Sequence, residues 1–174
     1  MSFNTISEWL SLNSNLLIGA TWETIYMVAV AGIVGFAVGI PLGVILHTTK
    51  KGGLLENTKL NSILGAVVNV GRSVPFLVLM VAIIPVTKIL VGTFIGTTAA
   101  IVPLTIGAIP FVARLIEGAL LEVPTGLVEA AQSMGATPMQ IINKVLLPEA
   151  MPTIVNSVTI LSLIHISEPT RRPI

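Results

Sequence analysis

From Thr24 to Leu46 the chain runs 23 residues without a charged side chain. Coiled as an α-helix at about 1.5 Å per residue, such a run covers about 34 Å, enough to cross a hydrocarbon core of about 30 Å. The remainder of the inventory agrees with a lipid-embedded chain. Of 174 residues, 53% are hydrophobic and only 10% are charged, and aspartate is absent. A soluble domain carries about 25% charged residues, so a water-facing surface cannot be built from this set. A second apolar stretch extends from about Leu60 to Thr87, interrupted by Arg72, and a third from Ile89 past Arg114, with its spanning part near Thr97 to Leu120. Lys88 to Gly96 read as the connecting turn. A fourth stretch starts near Ala150 and does not complete a span. The expectation is an all-α polytopic membrane protein with one transmembrane domain over residues 1–160. Its spans fall at about 22–46, 62–87 and 97–120, with an incomplete one at 150–160.

Charge placement gives an orientation. The segment between the first two spans carries Lys50, Lys51 and Lys59, whereas the next carries only Lys88. The positive-inside rule puts the first of these in the cytoplasm and the N-terminus outside, which also puts Glu117 to Glu149 in the cytoplasm. No Lys or Arg precedes Lys50, so the N-terminus lacks the basic region of a secretory signal. Nine basic residues spread along the chain make no nucleic-acid patch. There is no cysteine, and the two histidines, His47 and His165, are far apart without neighbouring ligands, which argues against metal chemistry.

Several residues stand out within the spans. Gly35, Gly39 and Gly43 recur every four residues and make a small-residue stripe for close helix packing, either within one subunit or between subunits. A charge at the bilayer centre costs about 2.5–3.5 kcal/mol on the insertion scale, so Arg72 and Arg114 need a partner or a cavity. Arg114 and Glu117 are three apart on one helix face and can pair near the cytoplasmic end of the third span. Arg72, with Ser73 and Pro75 beside it, either lines a translocation path or snorkels from a broken helix. Arg72 and Ser73 are the candidate path residues.

The most informative segment is Pro124 to Pro148, PTGLVEAAQSMGATPMQIINKVLLP. A first short helix over Gly126 to Met134 is closed by Gly135, where positive φ is wanted. A second opens with Thr137 as N-cap, Pro138 at its first position and Gln140 completing a capping box, and it should stop before Pro148. This hairpin is too poor in cations for DNA, since Lys144 is the only basic residue between Leu115 and Glu168. It also lacks the Lys and Arg of a helix resting on lipid. A compact knob suited to a groove on a protein partner remains.

The spacing Glu129-Ala130-Ala131, three residues, Gly135, nine residues, Val145-Leu146-Leu147-Pro148 resembles the EAA loop of bacterial ABC importer permeases, with valine in place of isoleucine. From about Gly19 to Ile160 the chain is similar to the methionine-importer permeases in particular, with GRSVPF at Gly71 to Phe76 and the long run from Val102 to Gln140. The resemblance implies an inner-membrane permease fold of five spans, of which about three and a half are present. It further implies a homodimer of permease subunits, two ABC ATPase subunits and a substrate-binding lipoprotein that delivers methionine. Glu129, Ala130, Ala131, Gly135, Leu147 and Pro148 would receive the ATPase's motion. This chain would bind no cofactor, Mg-ATP being used by the ATPase.

The residues fit an external energy source. There is no phosphate-binding GxxxxGK[ST] sequence, and no Asp or deep Glu for ion coupling in the complete spans. A channel, an ion-coupled carrier and a non-transporting scaffold are the other readings; a channel gives no reason for the hairpin. The stretch Ile160 to Ile174, ILSLIHISEPTRRPI, turns polar where an apolar span should continue. Residues 161–174 are expected to be a non-native tail, and a chain ending so is expected not to transport.

Overall fold

Pro75 and Pro85 decide the course of the second apolar stretch. A proline disfavours helical geometry in the residue before it and cannot donate to the turn behind it. In the computed structural model, which describes residues 14–156, every regular element among the described residues is helical. Helix α1 is Ser14–Thr49, 36 residues continuing through Pro41. Helix α2, Thr58–Ser73, stops two residues short of Pro75, and α3, Phe76–Ala82, starts directly after it. Helix α4, Ile84–Val91, carries Pro85 in its first turn, where the missing N–H goes unnoticed. Residues 62–87 are therefore three helices and not one continuous helix. Lys88 likewise belongs to a helix rather than a turn: α4 ends at Gly92, whose φ of 81° caps it, and the turn is confined to residues 92–96.

Helix α5, Thr97–Leu121, occupies the stretch expected to span at 97–120. By length and composition α1 and α5 are able to cross a membrane, and a third crossing is available if α2 and α3 form one broken span. Helix α6, Thr125–Ser133, and α7, Pro138–Ile141, form the expected hairpin. Its second arm does not stop before Pro148. It widens into a π-helical stretch, Ile142–Leu146, and continues as helix through residue 156. In an α-helix Pro148 would leave the carbonyl of residue 144 without a donor and crowd it. A π turn, closed here by the Leu147 amide donating to the Ile142 carbonyl, shifts the register just before the proline. Residues 157–160 and the 161–174 tail lie outside the described residues.

The chain divides into two compact units, to each of which α1 and α5 contribute a segment. The first contains residues 14–36 and 74–108. There Glu23 accepts a 2.9 Å hydrogen bond from the Thr97 hydroxyl, and a Cβ placed on Gly35 would lie 3.0 Å from that of Ala108. The second contains residues 37–73 and 109–156. Its core is Leu46, Val68 and Ala113, all at most 1% exposed, with Leu42 and Leu64 packed on them. Asn61 ties the start of α2 to the end of α1, donating to the Leu46 carbonyl at 2.6 Å and to the Thr49 hydroxyl at 3.2 Å. The backbones of α1 and α5 approach so closely that a Cβ on Gly39 would lie 2.6 Å from Val112 Cγ1. One on Gly43 would lie 2.6 Å from the Ala113 carbonyl oxygen. All three stripe glycines thus pack against α5 of the same chain.

Candidate functional site

The hairpin is fixed by its own backbone chemistry. At the end of α6 the Gly135 amide donates to the Gln132 carbonyl and the Ala136 amide to the Ala131 carbonyl, the paired bonds of a Schellman motif. That motif needs a left-handed residue, and Gly135 supplies φ 78°. No atom lies within 4 Å of a Cβ built there, so conformation and not space demands glycine. Gly135→Ala is therefore expected to destabilise the hairpin by about 1–2 kcal/mol, with Gly135→Asn milder. Limited proteolysis checks this, the alanine variant being cut faster. Across the turn the capping box is complete: the Thr137 amide donates to Gln140 Oε1 at 2.9 Å and the Gln140 amide to Thr137 Oγ1 at 3.4 Å.

Burial sorts the residues singled out in the sequence. Ala131 faces inward at 4% exposure, near the buried Ile141, Ile142 and Leu146 that seat the knob. Leu147 is half-buried, whereas Glu129, Ala130, Gly135 and Pro148 are exposed. Ala131 and Leu147 thus hold the hairpin, and Glu129 and Ala130 present a thin, acidic outer face. The sequence reading missed the apolar tip. Leu127, Met134 and Met139 are 41%, 81% and 63% exposed around the turn. Methionine's flexible thioether adapts to a partner's surface, and the available signal was two methionines flanking a Gly-Ala-Thr-Pro turn, a place where core residues do not belong. Glu129 is also one wall of an open cleft of about 240 Å³, lined besides by His47, Lys50, Gly52, Gln132 and Leu146.

The intramembrane charges fare differently from each other. Arg114 pairs with Glu117 and also donates from Nη2 to Asn69 Oδ1 at 2.9 Å and to the Gly65 carbonyl at 3.3 Å, fastening α5 to α2. Both side chains are largely buried, at 26% and 16% exposure. Arg114→Met is expected to cost about 3 kcal/mol by stranding the Glu117 carboxylate, and adding Glu117→Leu is expected to recover most of it. Melting temperatures in detergent test the pair. Arg72 makes no such network. Its guanidinium stands 5.9 Å from the centroid of the Phe111 ring, and the side chain is exposed. Ser73 donates its hydroxyl to the Asn69 carbonyl of its own helix at 2.8 Å. No group of three or more His, Cys, Asp or Glu able to hold a metal ion occurs among the described residues.

Comparison with known proteins accounts for this combination of apolar helices and exposed knob. Residues 39–167 match the family described as binding-protein-dependent transport system inner membrane component. The probable D-methionine transport system permease protein MetI of Vibrio cholerae is 84% identical over 160 residues, covering 92% of this chain and 71% of that protein. The D-methionine transport system permease protein MetI of Escherichia coli (strain K12) is 56% identical over 145 residues, covering 83% and 67%. A solved inward-facing form of the MetNI methionine ABC transporter superposes with a TM-score of 0.81 at 52% identity, covering 92% of this chain and 70% of that one. The fold extends to an amino acid ABC transporter solved with histidines, at a TM-score of 0.64 and 19% identity. With its hairpin and its membrane-length helices, this chain belongs to the binding-protein-dependent transport system inner membrane components, the permease subunits of ABC importers.

Proposed function

We propose that this chain is the permease subunit of a methionine importer, forming the path through the cytoplasmic membrane while a separate ATPase supplies the energy. The observation that carries the reading is the exposed hairpin of residues 124–148. Glu129, Ala130 and the Met134–Met139 tip form a surface for a partner, built on a turn that its Schellman motif and capping box hold in one shape. A rigid knob transmits displacement; a loose loop would absorb it. The second arm runs on through the π turn as helix to residue 156, so motion gripped at the knob passes into the apolar part of the chain without a hinge at Pro148.

In this reading two copies of the permease pair with two ATPase subunits that use Mg-ATP, and a binding lipoprotein delivers methionine from outside. The lysines at residues 50, 51 and 59 support a hairpin end in the cytoplasm and an N-terminus outside. Glu129, Ala130, Ala131, Gly135, Leu147 and Pro148 couple to the ATPase, and Arg72 and Ser73 lie along the path. The test is uptake of radiolabelled methionine by proteoliposomes holding the transporter assembled on a permease extended to its relatives' length, with and without enclosed ATP. ATP-dependent accumulation supports the reading. Equilibrating flux without ATP would make the assembly a channel.

A further inference from the structure

Arg72 lies deep in the apolar part of the chain by its position along α2 and by that of its neighbour Phe111 along α5. Along α2 it lies thirteen residues, about 20 Å, beyond Lys59. Phe111, the ring beneath its guanidinium, lies fourteen residues from the start of α5 and ten from its end, about 21 Å and 15 Å respectively. With about 30 Å of hydrocarbon to cross, both measures put the charge near the middle, beyond the reach of headgroups at either face. Its setting is firm. A Cβ on the adjacent Gly71 would lie 3.0 Å from the ring of Pro110, so α2 and α5 are in tight contact at this level, and the helix ends one residue later.

A cation here requires a counter-charge, and the described part of the chain gives it none. The one salt bridge among the described residues is that of Arg114 with Glu117, and Glu23 is engaged with Thr97. Arg72 has only the face of Phe111, which orients a guanidinium and attracts it without neutralising it. The exposed fork of N–H donors matches one chemical group above others, a planar carboxylate taken in two parallel hydrogen bonds. Resting on the proposed role of the chain as an amino-acid permease, we propose that Arg72, seated on Phe111, reads the α-carboxylate of the amino acid as it passes mid-membrane. It makes the path selective for a carboxylate-bearing solute after release from the binding protein. Lipid phosphate offers related chemistry but lies at the wrong depth.

The experiment uses the assembled transporter with Arg72→Gln and Arg72→Lys, in vesicles of phosphatidylcholine alone and with phosphatidylglycerol added. Methionine uptake by the glutamine variant is expected to fall about tenfold or more, the loss of a charged hydrogen-bonded pair, in both kinds of vesicle. The lysine variant is expected to recover part of it, and ATPase activity stimulated by the binding protein is expected to persist in both variants. Phe111→Leu is expected to give a smaller loss of the same kind. Unchanged uptake by Arg72→Gln would overturn the assignment, as would a loss seen only with phosphatidylglycerol, which would make the partner a lipid headgroup. A wild-type transporter that moves no methionine would instead remove the underlying permease reading, so the two failures are distinguishable.

Discussion

Glu129→Ala is expected to leave the permease inserted and folded while cutting ATP-driven uptake about tenfold or more. The Glu129 side chain is exposed on the outer face of α6, so its removal creates no cavity in the hairpin. Its backbone carbonyl goes on accepting the Ser133 hydroxyl at 2.9 Å, because that bond does not involve the side chain. The effect therefore falls on what the carboxylate meets at the mouth of the cleft it shares with Lys50 and on what docks there from outside the chain. A charge removed from a desolvated contact costs about 2–5 kcal/mol of association, which sets the expected scale. Uptake and ATPase activity measured together separate the outcomes. Uptake should fall more than hydrolysis if the carboxylate carries coupling, and both should stand unchanged if the hairpin is a bystander. Gln132→Ala, on the same helix and lining the same cleft, is expected to have the smaller effect.

Gly43→Leu carries the second large effect, and it acts on the fold. Away from contacts, replacing a helical glycine by a residue with a side chain stabilises a helix by up to about 1 kcal/mol. At Gly43 the sign reverses, since even a Cβ would lie 2.6 Å from the Ala113 carbonyl oxygen and 2.7 Å from Ile116 Cβ. Backbone cannot rotate away as a side chain does, so α1 and α5 must separate, opening the core around Leu46, Val68 and Ala113. Overpacking of this kind costs about 3 kcal/mol or more when backbone has to move. The expected result is a protein that scarcely accumulates in the membrane. Gly32→Leu is the control, because nothing lies within 4 Å of a Cβ there, and it should accumulate normally.

How much of this was legible in the sequence follows from the range of each interaction. Apolar length and the hairpin's punctuation are local signals, so the helix over residues 97–121 and the Thr137 capping box could be read directly. The pairing of Arg114 with Glu117 is three residues apart and equally local. The anchoring of Arg114 to Asn69 and Gly65 spans 45 and 49 residues and leaves no trace in a one-dimensional pattern. The glycine stripe announced a close approach, but not that α5 of the same chain makes it. Pro75 splits the second stretch; a broken helix beside Arg72 was one of the readings, but apolar composition alone carried the expected span past it. Pro148 misled in the opposite direction, because hydropathy and propensity do not encode a π turn that carries a helix past a proline. The exposed Met134 and Met139 were overlooked for a related reason, since methionine in an apolar chain reads as core unless its place beside a turn is weighed.

We propose above all that the knob of residues 124–148 faces the cytoplasm and is gripped there by the ATPase. Because the chain has no cysteine, a single Met134→Cys gives a unique handle on an exposed point of the knob. In inside-out vesicles it should react with an impermeant maleimide, and in the assembled transporter a short bifunctional reagent should join it to the ATPase subunit. Labelling from the outside of intact cells, with no cross-link to the ATPase, would contradict the account.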